Sequence, residues 1–233
     1  AVVLCCGVYL NSRTIVGTCI RDSGPNGFAN AKSLTESLVR LGFEVRRFKT
    51  GTPARVRLDT IDLARTVEQC GEADTKPFSY LDDSIPATKR SCYLTYSTAE
   101  TKKIILDNKQ LAPLYNGSIN GVGPRYCPSI EDKVVRFADK ERHQIFLEPE
   151  SEDTNEFYVQ GASTSMPAWV QEQIYHSIEG LEKVEIMRDA YAIEYDCIDA
   201  TQLNASLMSK AVPGMFFAGQ INGTSGYEEA AAQ

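Results

Sequence analysis

The stretch GVGPRYCPSIEDK, Gly121 to Lys133, places a thiol, Cys127, between Arg125 and Pro128, with two glycines before it and a charged, helix-like run after it. Such a thiol can pack, ligate a metal, close a disulfide or act as a nucleophile. Metal binding finds little support, because only His143 and His176 exist and neither has a second ligand at helical or hairpin spacing. Seven cysteines is an odd count, no CxxC pair occurs, and the adjacent Cys5 and Cys6 suit disulfide geometry poorly. The pattern reads as a reducing, cytoplasmic compartment with mostly packed thiols, where the sequons at Asn116, Asn204 and Asn222 carry no glycan. Packing and nucleophilic roles remain. A nucleophile works as the thiolate, so its pKa of about 8.5 must fall. Arg125, the helix start at Ser129 and Ile130, and the basic stretch around Lys49 would each lower it.

Two further stretches carry chemistry. AGQINGTSG, Ala218 to Gly226, reads as a buried strand end, a glycine-rich turn and a helix start. That arrangement points backbone N–H groups and a helix dipole at a phosphate or a flavin edge, or else it is only a tight strand-to-helix connection. No GxGxxG is present. RRFKTGTPAR begins a run from Arg46 to Arg57 with five basic residues and no acid, in a chain of net charge −7. Such a patch suits a cofactor phosphate or a nucleic acid, or it is a solvated edge strand protected by its charges. GxxxxGK[ST] is absent, which excludes a P-loop.

The elements that must position these stretches follow from pattern. With 233 residues, 42% hydrophobic and 24% charged, the chain is an ordinary globular sequence able to bury a sizeable core without staples. Its apolar runs are far too short to cross a bilayer. AVVLCCGVYL and RTIVGTCI suggest a hairpin or strand pair, and SGPNGF a loop. Residues 30–42 read as an amphipathic helix on Leu34, Leu38 and Leu41, stopped by Gly42. Residues 43–70 look extended and 71–90 irregular. A strand at 91–98 and a helix at 99–108 follow, then a helix over SIEDKVVRFADK with Ser129 as N-cap, and a strand in RHQIFLEPE. A helix over 167–180, a strand-turn-strand in VEIMRDAYAIEYDC and a buried strand MFFAGQ complete the order. The last helix has Glu228 and Glu229 in its first turn but no glycine stop and no basic last turn, so the chain is expected to be an internal piece of a longer protein.

FKTGTPAR, GVGPRYCPSIEDKVVRFADKERHQIFLEPE, STSMP, AYAIEYD and FFAGQINGTSGYEEAAAQ occur in one order and closely resemble the MnmG (GidA) family, the flavoprotein of bacterial tRNA wobble-uridine modification. The resemblance runs from end to end. It implies an α/β fold: part of a FAD-binding domain of the glutathione-reductase (Rossmann) type, residues 1–40 and 201–233, interrupted by a large α+β insertion domain, residues 41–200. The family's amino-terminal GxGxxG half and carboxy-terminal helical domain would lie outside this chain, which alone is expected to bind FAD poorly and to be inactive.

The activity implied is FAD- and NADH-dependent addition of an aminomethyl or carboxymethylaminomethyl group to C5 of the wobble uridine, with the GTPase MnmE and with methylene-tetrahydrofolate as carbon donor. A homodimer and no membrane association are implied too. By the resemblance, FAD is contacted by Ser23, by Lys49, Thr50, Gly51 and Thr52, and by Gly219, Gln220, Asn222 and Gly223. The NAD-binding segment falls on Gly123, Pro124, Arg125, Tyr126, Cys127, Pro128, Ser129, Ile130, Glu131, Asp132, Lys133, Val134, Val135, Arg136 and Phe137. Arg46, Arg47, Arg55 and Arg57 are the residues expected to meet tRNA. The chain departs from the family pattern at Ser151, where glycine is usual.

Cys127 falls on a functionally important cysteine of the family. Uracil C5 is a poor nucleophile until a group adds at C6 and pushes electron density onto it, and a thiolate is the usual protein reagent. The competing account keeps Cys127 as a packed thiol and leaves the chemistry to flavin and folate. Cys92 and Cys197, on strand-like stretches, are expected to be packing residues. Two other functions stay open: a tRNA-binding module only, or a generic FAD/NAD oxidoreductase, although the latter's CxxxxC pair is missing.

Overall fold

The computed structural model describes residues 1–72, 75–85, 90–123, 128–224 and 226–233. In chain order its elements are β1 (Val2–Leu4), β2 (Arg13–Val16), β3 (Cys19–Arg21), α1 (Lys32–Arg40), β4 (Val45–Thr52), β5 (Arg55–Arg57), β6 (Val67–Gln69), β7 (Cys92–Tyr96) and α2 (Ala99–Asp107). They continue with α3 (Ile130–Arg136), β8 (Gln144–Pro149), β9 (Glu156–Gln160), α4 (Ala168–His176), β10 (Ile186–Arg188), β11 (Tyr191–Ile198), β12 (Met215–Phe217) and α5 (Tyr227–Ala232).

The strands form three sheets. β1 and β12 lie parallel, Val2 opposite Met215 and Leu4 opposite Phe217. A four-stranded antiparallel sheet runs β3-β2-β11-β4, and a six-stranded antiparallel sheet runs β10-β5-β9-β8-β7-β6. The strand pair expected within residues 1–20 is therefore corrected: β1 pairs with the far end of the chain, and the hairpin is β2 with β3. Gly7 and Asn11, at φ 53° and 45°, turn the chain between β1 and β2 and prevent one continuous hairpin. The strands in VEIMRDAYAIEYDC also separate, β10 into the six-stranded sheet and β11 into the four-stranded one.

Burial follows the expected periodicities with two exceptions. In α1 Leu38 is fully buried beside Phe43, Ile198 and Phe217, with Leu34 packed against the same cluster. Leu41 is exposed, because the helix ends at Arg40 and Leu41 is its C-cap. α3 ends at Arg136 rather than running on through Lys140. Ser129 caps it by accepting a 3.4 Å bond from the Asp132 amide. β9, in EFYVQ, was not anticipated, although Phe157 and Val159 alternate inward with Glu156, Tyr158 and Gln160. Those two residues join Val56, Ile145, Leu147 and the α4 residue Tyr175 in the core beneath the six-stranded sheet.

Tyr175 does more than fill space. Its hydroxyl donates to Ala162 O at 2.8 Å and accepts from Ala54 N at 2.9 Å, joining the segment after β4 to the segment after β9. Tyr175→Phe leaves both backbone groups buried and unpaired and should lower stability by about 1–3 kcal/mol in denaturant unfolding. A loss well below that range would mean that neither bond matters to the core.

Candidate functional site

β11 is an inner strand of the four-stranded sheet, and it buries two carboxylates. Glu194 is fully buried, and each of its oxygens is used. Oε2 accepts from Arg13 Nε at 2.6 Å, and Oε1 accepts the amides of Asn120 at 2.7 Å and Gly121 at 2.5 Å. Arg13 also donates to Ser118 O at 3.1 Å. Asp196 accepts from Arg47 at 2.7 Å, from Asn11 at 2.8 Å and from Thr35 at 3.0 Å. These charges are stabilised by full pairing, without which burial would be prohibitive.

The Glu194 bonds fix the chain that leads to residues 124–127. Val122 donates to Arg47 O at 3.1 Å, and Lys49 N donates to Val122 O at 2.9 Å, so this chain lies parallel along β4 at Phe48. Gly121 is required there, since a Cβ would stand 2.7 Å from the Phe48 carbonyl carbon. Pro124, Arg125, Tyr126 and Cys127 themselves lie outside the described residues.

Beside this chain opens a cavity of about 800 Å³. Thr50 and Gly51 from β4, Pro128 and Lys133 around α3, and Gly219 and Gln220 after β12 all line it. Residues not expected at a cofactor from sequence join the wall, among them Cys5 and Gly7 after β1, Tyr158 and Gln160 on β9, Gly161 and Ser163 beyond it, and Tyr227 on α5. Gly161, at φ 97°, has no room for a Cβ against Gln144 O at 2.7 Å, and its carbonyl accepts Lys133 Nζ at 2.9 Å.

The remaining expected residues are dispersed. Ser23 lines a separate cavity of about 920 Å³ with Arg21, Asp22, Arg188 and Asp189, and its Oγ bonds Thr14 Oγ1 at 3.0 Å. Thr52 lines a third cavity, of about 490 Å³, and bonds Arg55 Nη1 at 2.5 Å. Asn222 is buried and donates to Phe217 O at 2.7 Å, and Gly223 turns at φ 92° against the Phe48 ring. On α3, Ile130, Glu131 and Val134 are buried, Asp132 pairs with Arg136 at 2.8 Å, and Val135 and Phe137 are progressively more exposed. Gly123 is exposed.

The basic run, which holds no acid of its own, is nevertheless paired at its four arginines. Arg46 pairs with Asp199, Arg47 with Asp196, Arg55 with Glu150, and Arg57 with both Asp59 and Glu185. Most of these acids are far away in sequence and reach the run only through strand pairing and the adjoining loops. Among the cysteines, Cys197 is buried and its thiol is pushed up to about 11, first by burial and then by Asp196. Burial also raises Cys92, while Cys5 is exposed. Among the described residues no three His, Cys, Asp or Glu side chains converge as a metal site, and no helix is long and apolar enough to cross a membrane.

A parallel strand pair whose glycine turn opens on a cavity, backed by inserted antiparallel sheets, defines a Rossmann-like α/β chain with an α+β insertion. The chain belongs to the Glucose inhibited division protein A family, whose model matches residues 1–233. It is 55% identical over 233 residues to the tRNA uridine 5-carboxymethylaminomethyl modification enzyme MnmG of Clostridium botulinum (strain Loch Maree / Type A3), covering 100% of this chain and 37% of that protein. The MnmG of Caldicellulosiruptor saccharolyticus is 58% identical, with the same coverage. Among solved structures, Aquifex aeolicus GidA in its form I crystal superposes with a TM-score of 0.90 at 46% identity, over 100% of this chain and 40% of that one. The chain thus spans little more than a third of the curated relatives' length. The fold class expected from sequence holds.

Replacing Glu194 by Ala leaves Arg13 and two amides without their acceptor, and should cost about 3–5 kcal/mol in denaturant unfolding. A cost below about 1 kcal/mol would show that water replaces the carboxylate freely.

Proposed function

We propose that this chain carries the flavin-facing wall and the insertion of an enzyme that modifies the wobble uridine of tRNA at C5, using FAD and NADH. The observation that carries this reading is the convergence on one cavity of Thr50 and Gly51, Pro128 and Lys133 around α3, and the Gly219-Gln220 turn. These stretches are far apart in sequence, and each was assigned to a nucleotide cofactor from sequence. The tRNA uridine modification for which the two MnmG relatives are named supports the same reading.

The cavity suits the ring end of FAD. Its volume of about 800 Å³ is within the range of cofactor sites. Five lining residues, Gly7, Gly51, Gly161, Gly219 and Gly226, present bare backbone to the cavity. Thr50, Gly51, Gly219 and Gln220 would hold it, with Lys133 and Pro128 towards the nicotinamide side. FAD bound there would supply hydride acceptance from NADH. The protein's share is to exclude water, orient the ring and present a thiol. Cys127 precedes Pro128, a residue of the cavity wall, and is assigned the nucleophile's role.

In this reading residues 1–40 and 201–233 belong to the FAD-binding domain and residues 41–200 to the insertion, with the four-stranded sheet as the seam. The carbon donor is methylene-tetrahydrofolate, the partner is the GTPase MnmE, and the whole protein works as a cytoplasmic homodimer. Of the four arginines assigned to tRNA, Arg46 has the most exposed side chain, 63% accessible despite its bond to Asp199. Phosphate must compete with a carboxylate at each of the four, so each contributes less to the salt dependence of tRNA binding than an unpaired arginine would.

Cys127→Ser in the whole protein tests the proposal. Thiol and hydroxyl are nearly isosteric, while serine is a far weaker nucleophile. Nucleoside analysis of tRNA should find the C5 modification abolished, with flavin content and melting temperature nearly unchanged. Retained modification would remove the nucleophile. A drop in stability of roughly 1–3 kcal/mol with partial activity would assign the thiol to packing.

A further inference from the structure

Behind the cavity wall lies a polar cluster that the functional reading leaves unused. Lys49 adjoins the wall residues Thr50 and Gly51 in sequence, Glu131 lies between Pro128 and Lys133, and Thr164 and Ser165 follow Ser163. Three separate segments therefore each place a buried polar side chain next to a wall residue. Lys49 is 5% exposed and Glu131 1%. Among the described residues, neither carboxylate oxygen of Glu131 has a hydrogen-bond partner. Ser129, Thr164 and the Glu131 amide lie near enough to favour its charged form without meeting hydrogen-bond geometry.

Lys49 stands opposite Glu194 in the β4–β11 register, but Arg13 and two amides already use that carboxylate. Among the described residues Lys49 has no side-chain hydrogen bond or close ion pair, and Glu131 is a carboxylate that its charge acts upon. Among the described residues, Tyr115, from the segment after α2, and Tyr175 on α4 also interact electrostatically with Glu131. Burial raises the pKa of both and keeps them neutral, and among the described residues Lys49 is a cation whose charge acts on Glu131. Burial raises the Glu131 pKa and Lys49 opposes the rise. With Glu131 ionised the pair is neutral, and with Glu131 protonated it carries one positive charge.

We propose that Glu131, set against Lys49, is the charge-compensating proton site of the cavity. Glu131 takes a proton from water when negative charge arrives on a ring bound across the wall, and returns it when that charge leaves. Only the carboxyl O–H bond forms and breaks, and solvent is the source and sink of the proton. The residue is not placed in contact with the ring and acts through its charge. This inference rests on the flavin reading of the cavity.

The test uses the whole protein with FAD bound, comparing wild type with Glu131→Gln and Lys49→Met. The flavin midpoint potential is followed against pH by spectroelectrochemistry. Wild type should show a proton-linked bend that Glu131→Gln lacks, and Lys49→Met should lie at more negative potential throughout. Melting curves without flavin give a second readout. Folding favours protonated Glu131, so wild type should lose stability relative to Glu131→Gln as pH rises from the ordinary carboxylate pKa through the folded value. Their melting gap should therefore widen with pH. Superimposable potential curves, or a gap independent of pH, overturn the inference and leave the flavin reading standing. Whole protein that purifies without FAD and cannot be loaded overturns the flavin reading, and this inference with it.

Discussion

The carboxylate of Glu194 is the constraint on which the rest depends. It sits on an inner strand of a sheet, fully buried, where an ionised group survives only if every oxygen is used. Its partners come from Arg13 on β2 and from the amides of Asn120 and Gly121. One side chain therefore ties an early hairpin, a late strand and the mid-chain loop that leads to Cys127. The same loop is paired along β4, which positions Thr50 and Gly51 on the cavity wall. The geometry on this side of the cavity is set by satisfying a buried charge rather than by apolar packing.

The four-stranded sheet is a seam in the same sense. β4 and β11 pair over eight residues, and the charges at their ends and faces match across the ladder: Arg47 with Asp196, Arg46 with Asp199. The packing clusters stay distinct, one around Leu38 and Phe217, another around Val56, Phe157 and Tyr175, and a third around Ile130 and Ile174.

Local pattern made much of this legible. The Leu34 and Leu38 spacing, the Ser129 cap and the strand in SCYLTYST were visible because periodicity and capping act over a few residues. Parallel pairing of β1 with β12 was hidden, since partners more than two hundred residues apart leave no local trace. The basic run misled for the same reason: RRFKTGTPAR holds no acid, and its carboxylates arrive from β11 and from Glu150 and Glu185. Of the residues expected at the cofactor, Thr50, Gly51, Gly219, Gln220, Pro128 and Lys133 meet at one cavity, while Ser23 faces another. β9 contributed Tyr158 and Gln160 to the wall and could have been found from the alternation in EFYVQ.

The most direct test of the account is a crystal structure of the whole protein with FAD bound. The account predicts the isoalloxazine ring in the cavity between Thr50-Gly51 and Gly219-Gln220, with the segment from Pro128 to Lys133 along its side. A ring lodged instead in the cavity beside Ser23 and Arg188, with the first cavity filled by solvent, would contradict it.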